Sequence, residues 1–247
     1  MEGRNPILVA LDGMSKHEAL TVVEAVSPYV GGFKLNSALH HSDMGTAFAI
    51  EMAEFGLFSD VKTNDTPRTV QNTILDIATT KPIIVTLHLT NSVEALIAAR
   101  KAMEKVREEN NVDITLAGIT VLTSICEEEC NILMGGPVKA VVLERARRAV
   151  LSGIPAIVGG GAAIGFLKQF EELKGLKKIV PALYPEWYPS PSDQKQPMTP
   201  GDAIRAGADW LVIGSAITKS FQKAQITSKE AAKRIHDEVE AAMAEAA

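Results

Sequence analysis

Asp60-Val61-Lys62-Thr63-Asn64-Asp65, set in the run FSDVKTNDTPRTV, places two carboxylates around one lysine at spacings that serve no hydrophobic purpose. The apolar lead-in from Leu57 reads as a strand ending at Lys62. Side chains two apart on a strand share a face, so Asp60 and Lys62 point to the same side. Asp65 and Thr66-Pro67 then read as a turn, with a new helix starting near Arg68. Opposite charges at a strand end are costly to bury unless paired, and pairing fixes both their positions and their protonation states. A carboxylate and an ammonium held in this way can act together on one carbon atom. The plain alternative is a structural ion pair, which the motif taken alone does not exclude.

The elements that must position these groups recur regularly along the chain. Short β-branched or apolar runs fall at 7–11, 32–35, 57–62, 83–88, 114–121, 156–158, 178–183 and 210–213. Each is followed by a longer amphipathic stretch. Ser15 precedes KHEALTVVEAV, Asn91-Ser92 precedes VEALIAARKAMEKVREE, Thr199-Pro200 precedes GDAIRAGA and Ser228 precedes KEAAKRIHDEVEAAMAEA, all of them helix-start signals. Eight strand–helix alternations predict an α/β fold, a closed (β/α)8 barrel, and no linker divides the chain, so residues 1–247 read as one domain. In such barrels chemistry belongs at the C-terminal ends of the strands. Asp12, Lys34, Asp60, Lys62, His88, Thr123, Ser124 and Gly214 all fall there.

Composition narrows the function classes. The 247 residues carry a formal net charge of -5 and 5% aromatics, which argues against a nucleic-acid surface built on a basic stripe or on base stacking. Cys126 and Cys130 are too few for a disulfide scaffold and, without further cysteines, make a poor zinc site. The opening MEGRNPILVALDG has no signal-type apolar core and no segment approaches a membrane span, so the expectation is a cytoplasmic protein with no membrane partner.

The same residues carry a resemblance. ILVALD, GGFKLN, FSDVKTNDTPRTV, VTLH, ITVLTS, PEWYPSPSDQK and MTPGDAIRAGADWLVIG, spread over nearly the whole chain, resemble the orotidine 5'-phosphate decarboxylase family. The family's alternating lysines and aspartates match Lys34, Asp60, Lys62 and Asp65. Related barrels that decarboxylate keto-sugar phosphates, or condense formaldehyde with a pentulose phosphate, share D-x-K-x-x-D but carry an acid on the second strand and use magnesium. Within the resemblance, Lys34 in GGFKLN favours the metal-free branch.

What the resemblance implies is decarboxylation of a pyrimidine nucleotide, with OMP giving UMP and carbon dioxide, and with no cofactor and no metal. Asp60 would crowd the substrate carboxylate, and Lys62 would stabilise the charge left at C6 and protonate it. Lys34 would neutralise Asp60 and reach the ribose, with Asp12 accepting from another hydroxyl. Asp65 would cross a homodimer interface into the partner's site. Thr69 would help near the ribose, Ser124 and Thr123 would meet the pyrimidine edge, and Gln194, Gly214 and Ser215 would serve the phosphate end.

Taken singly, these residues have ordinary explanations. Asp12 before Gly13 could shape a turn, His88 reads better as a hydrogen-bonded barrel-end histidine than as a catalyst, and His40-His41 as loop. Ser124 could cap a helix, and Gly159-Gly160-Gly161 could either approach a phosphate or merely allow a tight turn. The sequence departs from the family at the phosphate end. Where arginines are common it has Tyr184, Gln196 and Ser215. Backbone N–H groups at Gly214 and Ser215 and the Ser215 hydroxyl remain there, without a bidentate guanidinium. Two alternatives follow: a decarboxylase of a different or unphosphorylated pyrimidine, or a catalytically weak nucleotide-binding paralogue.

Overall fold

The computed structural model describes residues 4–36, 45–189 and 198–246. Eight parallel strands close into a barrel in chain order. They are β1 (Ile7–Ala10), β2 (Gly32–Leu35), β3 (Leu57–Thr63), β4 (Ile84–His88), β5 (Thr115–Ile119), β6 (Ala156–Val158), β7 (Lys177–Pro181) and β8 (Trp210–Ile213), and β8 pairs back onto β1. Around them run α1 (Lys16–Val26), α2 (Gly45–Met52), α3 (Pro67–Ala78), α4 (Val93–Asn110), α5 (Glu127–Met134), α6 (Val138–Ser152), α7 (Gly161–Leu167), α8 (Pro200–Arg205), α9 (Ser215–Thr218), α10 (Ser220–Ala224) and α11 (Ser228–Ala246). Among the described residues no helix is long and apolar enough to cross a membrane.

Local chemistry sets the helix starts. The Ser15 hydroxyl accepts the Glu18 N–H at 3.4 Å while the Glu18 carboxylate takes the Ser15 N–H at 2.8 Å, a reciprocal cap. Ser92 and Thr199 accept the N–H groups of Ala95 and Asp202 at 3.2 and 3.1 Å. At the last helix the cap is Thr227, whose hydroxyl accepts the Glu230 N–H at 3.2 Å, so Ser228 already lies inside α11. Threonine and serine are both competent caps, and the sequence pair Thr227-Ser228 does not by itself say which is used.

Strand alternation builds two apolar layers. Leu8, Phe58, Ile84, Ile119, Val158, Ile179, Trp210 and Val212 fill the barrel interior. Their neighbours Ile7, Val9, Leu57, Val85, Leu87, Ile157 and Leu211 face outward onto the helices. Moving along a strand by two keeps the face, so on β1, β3 and β4 the inward row leads to polar residues nearer the C-terminal rim. Ala10 is followed by Asp12, Phe58 by Asp60, and Ile84 by Thr86 and then His88. Phe58 is fully buried and lines the same cavity as Asp60. Truncating such a side chain to alanine typically costs about 3–5 kcal/mol.

Candidate active site

A cavity of about 300 Å³ opens at the C-terminal rim, at the lower end of the range typical of small-molecule sites. Ala10, Phe58, Ile119, Val158 and Val212 form its apolar floor, and Asp12, Lys34, Asp60 and Lys62 stand along one side.

These four groups form one continuous row. The Lys34 ammonium donates to both oxygens of Asp12, at 2.9 and 2.7 Å, and lies 3.1 Å from Asp60 Oδ2. Lys62 Nζ meets that same Asp60 oxygen at 2.6 Å. Two carboxylates and two ammoniums thus alternate and sum formally to zero. Lys34 and Asp60 are buried. Burial alone would push the Asp60 carboxyl up, but the Lys34 and Lys62 cations outweigh it and hold the group below its ordinary range.

The strand that carries Asp60 and Lys62 is not regular. Lys62 has φ 50°, the left-handed region that a residue with a β-carbon seldom enters. Across β3 and β4 the pairing steps from Ser59↔Val85 to Thr63↔Leu87, so β3 advances by four residues while β4 advances by two. Asp60 and Lys62 still converge, but through a bulge and not through a flat pleat. Thr86, fully buried on β4, occupies the gap: its hydroxyl accepts the Lys62 N–H at 3.0 Å and donates to Asp60 Oδ1 at 2.9 Å.

Asp65 lies exposed beyond the strand, with no ion pair among the described residues. Its N–H donates to Asn91 Oδ1 at 3.0 Å and its Oδ1 accepts the Thr66 N–H at 2.6 Å. Buried Asn91 also donates to the carbonyls of Thr63 at 2.9 Å and His88 at 2.8 Å, which ties the turn after β3 to the end of β4. Arg148 of α6 donates in turn to the Leu89 and Asn91 carbonyls.

The remaining anticipated residues divide. Gly214 and Ser215 line the cavity on its β8 side, and Thr123 lines it on the β5 side. Ser124 is exposed in a turn outside the lining, and α5 is preceded by Cys126, so Ser124 does not cap that helix. Thr69 sits exposed in the first turn of α3, 3.1 Å from the Thr66 hydroxyl and also outside the lining. Gln194 falls outside the described residues, as do Gln196 and His40-His41.

His88 ends β4 without lining the cavity. Burial first, and then the Lys62 and Arg145 cations, push its pKa down against the opposing pull of Asp60. Cys126 is exposed and Cys130 buried, so the two thiols do not share an open face. Among the described residues no group of His, Cys, Asp and Glu side chains could hold a metal ion.

A further wall, adjoining the β1 end of the charged row, is made by the exits of β7 and β8. Ala182 is left-handed at φ 62°, and the Tyr184 N–H donates to the Met198 carbonyl at 3.1 Å. The Tyr184 ring stacks on Tyr188 with centroids 5.9 Å apart. No arginine lines the cavity among the described residues. At Gly159 a β-carbon would come within 2.8 Å of Thr120 Oγ1, and at Gly161 within 2.2 Å of Met198 Sδ. Neither has a positive φ, so close packing is what bears on these two positions: against the hydrogen-bonded Thr120 hydroxyl at Gly159, and against the flexible Met198 thioether at Gly161.

Sequence reasoning missed Thr86 and Asn91. Strict alternation along VTLH would have turned Thr86 inward beside Ile84 and His88, but a threonine in a β-branched run also reads as ordinary strand filler. Asn91, next to Ser92, carries only a helix-start signal in the sequence.

A parallel (β/α)8 barrel with an alternating acid–base row on its C-terminal rim defines a barrel enzyme whose reacting groups come from successive strand ends. The chain belongs to the orotidine 5'-phosphate decarboxylase / HUMPS family, whose model matches residues 5–234. It is 33% identical over 225 residues to an orotidine 5'-phosphate decarboxylase of Dictyoglomus thermophilum, covering 89% of this chain and 91% of that protein. The corresponding protein of Heliobacterium modesticaldum is 31% identical over 252 residues, with 97% of each chain covered. Among solved structures, orotidine 5'-phosphate decarboxylase from Lactobacillus acidophilus superposes with a TM-score of 0.78 at 20% identity, covering 95% of this chain and 99% of that one, a likeness of fold.

Proposed function

We propose that this protein is an orotidine 5'-phosphate decarboxylase, a carboxy-lyase that converts OMP to UMP and carbon dioxide, working as a homodimer. The observation that carries this reading is the Asp12–Lys34–Asp60–Lys62 row along one side of a cavity with an apolar floor. A substrate carboxylate seated beside Asp60 meets a like charge that cannot easily be protonated, because two ammoniums hold Asp60 ionised. Breaking the C6–carboxylate bond releases carbon dioxide and leaves the electron pair on C6. The Lys62 ammonium faces that charge, stabilises it, and delivers the proton that completes the product. Lys62 then regains its proton from solvent. Lys34 and Asp12 are left to orient ribose hydroxyls, and Asp65, exposed and without an ion pair in its own chain among the described residues, is assigned to the partner's site.

The β7–β8 side supports a second reading. Tyr184, Gly214 and Ser215 line it, and no arginine does among the described residues. A site of that composition suits a less highly charged remote group, so an unphosphorylated or differently substituted pyrimidine is the alternative substrate. Steady-state decarboxylation of OMP beside orotidine separates the two. The first reading expects a kcat/KM for OMP well above that for orotidine; equal values, or preference for the nucleoside, favour the second, and no turnover of either removes both.

A further inference from the structure

We infer that Thr86 is a positioning residue for the reaction: one buried hydroxyl on β4 sets the Asp60 carboxylate and the Lys62 backbone together. This rests on the decarboxylase reading for its meaning in catalysis, though not for the geometry. Between the paired positions Ser59↔Val85 and Thr63↔Leu87, the β3 backbone bulges away from the regular ladder. Lys62 sits in that bulge at φ 50°, a conformation that persists only where its surroundings impose it.

Thr86 supplies that imposition. Its oxygen takes the Lys62 N–H at 3.0 Å, which commits its own proton elsewhere, and the acceptor for that proton is Asp60 Oδ1 at 2.9 Å. The other Asp60 oxygen already receives both ammoniums, at 2.6 and 3.1 Å. Each carboxylate oxygen therefore has assigned donors, and the carboxylate plane has little freedom to rotate. Without the hydroxyl, Oδ1 would lose its donor, the Lys62 N–H its acceptor, and the left-handed turn the contact that holds it. Lys62 would keep its charge and its length but not its aim.

The test compares Thr86→Val, which keeps the shape and removes the hydroxyl, with Thr86→Ser, which keeps the hydroxyl and removes a methyl. For Thr86→Val, kcat for OMP should fall roughly 10- to 100-fold, the range of one hydrogen bond to a charged group, with KM moving much less. Thr86→Ser should keep kcat within about threefold of native. A second readout is independent of turnover: NMR titration of the Asp60 carboxyl, which faces Lys34, Lys62 and the Thr86 hydroxyl, should move upward in Thr86→Val and stay near native in Thr86→Ser. If the serine variant loses as much as the valine variant in both measurements, packing by the methyl is what matters and the inference is overturned. If the native protein turns over no pyrimidine, the functional reading fails while the titration still decides the role of Thr86. Should Thr86→Val fail to fold, a native-like titration and kcat in Thr86→Ser support the inference and their loss sinks it.

Discussion

Asp60 is a buried carboxylate that stays ionised because two lysines reach one of its oxygens and a threonine the other. Removing one cation from such a set leaves a charge under-compensated, and the consequence depends on which cation goes. Lys62 is the more exposed of the two, at 31% against 8% for Lys34, so water can partly replace it. Lys62→Ala should therefore fold with a modest loss of stability while kcat and kcat/KM fall together by several powers of ten, since both charge stabilisation and the proton are lost. Near-native turnover in that variant would return the motif to a structural ion pair. The pH dependence follows from two groups. The ionised form of Asp60 is favoured by folding, so its contribution is full above the unfolded carboxylate value of about 4 and is lost as pH falls through the lower folded value. For His88 the neutral form is favoured, so the unfolded chain takes up a proton first and stability declines once pH drops below about 6.5. Melting temperature measured from pH 7.5 to 3 should decline in two stages, the upper one diminished in His88→Gln; an upper stage of equal size in that variant would contradict the assignment. At this scale the row itself was legible, because charges at strand ends have no apolar explanation. The left-handed Lys62 and the Thr86 clasp were not, since neither alters the pattern of polar and apolar letters.

At the scale of elements, β3 and β4 act as a pair. Asn91, just after β4, holds the carbonyls of Thr63 and His88 and the N–H of Asp65, so the motif's turn is fixed by its neighbouring strand as well as by its own helix. The eight strands could be placed from their β-branched runs to within two residues, because inward and outward faces are both buried and the runs stand out. Boundaries slipped where more than one residue could do the same job, as at Thr227-Ser228. The β7–β8 wall makes the sharpest element-level expectation. Ser215 lines the cavity at the start of α9, and a guanidinium there could pair with a phosphate in a bidentate way. Ser215→Arg should raise kcat/KM for OMP by about one to two powers of ten and leave orotidine nearly unchanged, the size of one charge-assisted contact. An increase of the same size for both substrates would mean that the wall does not meet the phosphate.

At the scale of the whole molecule, the proposed homodimer brings in a second copy. Asp65 is exposed and, among the described residues, takes no part in the ion pairs of its own Lys62; in the proposed homodimer it completes the neighbouring cavity. Mixing subunits that carry Lys62→Ala with subunits that carry Asp65→Ala then gives heterodimers with one native site and one site lacking both residues. After subunit exchange the mixture should recover about a quarter of native activity from two nearly inactive parents, as two-fold symmetry requires for statistical pairing. Recovery absent under conditions where exchange is demonstrated by native mass spectrometry would place Asp65 in its own subunit's site or outside the chemistry. Nothing in a single sequence marks which side of an interface a turn serves, so this expectation rests on the family pattern alone.

The charged row has two unlike ends. Asp12 is 38% exposed and Lys62 31% exposed, while Lys34 and Asp60 between them are shielded. A neutral row of this kind is a dipole laid across the mouth of the barrel, negative at the β1 side and positive at the β3 side. Its field acts on an approaching molecule before any contact forms, and a low-dielectric floor concentrates it. For the proposed substrate, such a field favours entry with the reacting carboxylate toward Lys62 and the hydroxyl donors toward Asp12, a sorting of head from tail before contact. Salt would blunt this sorting, and the cost would be paid in the rate of productive entry.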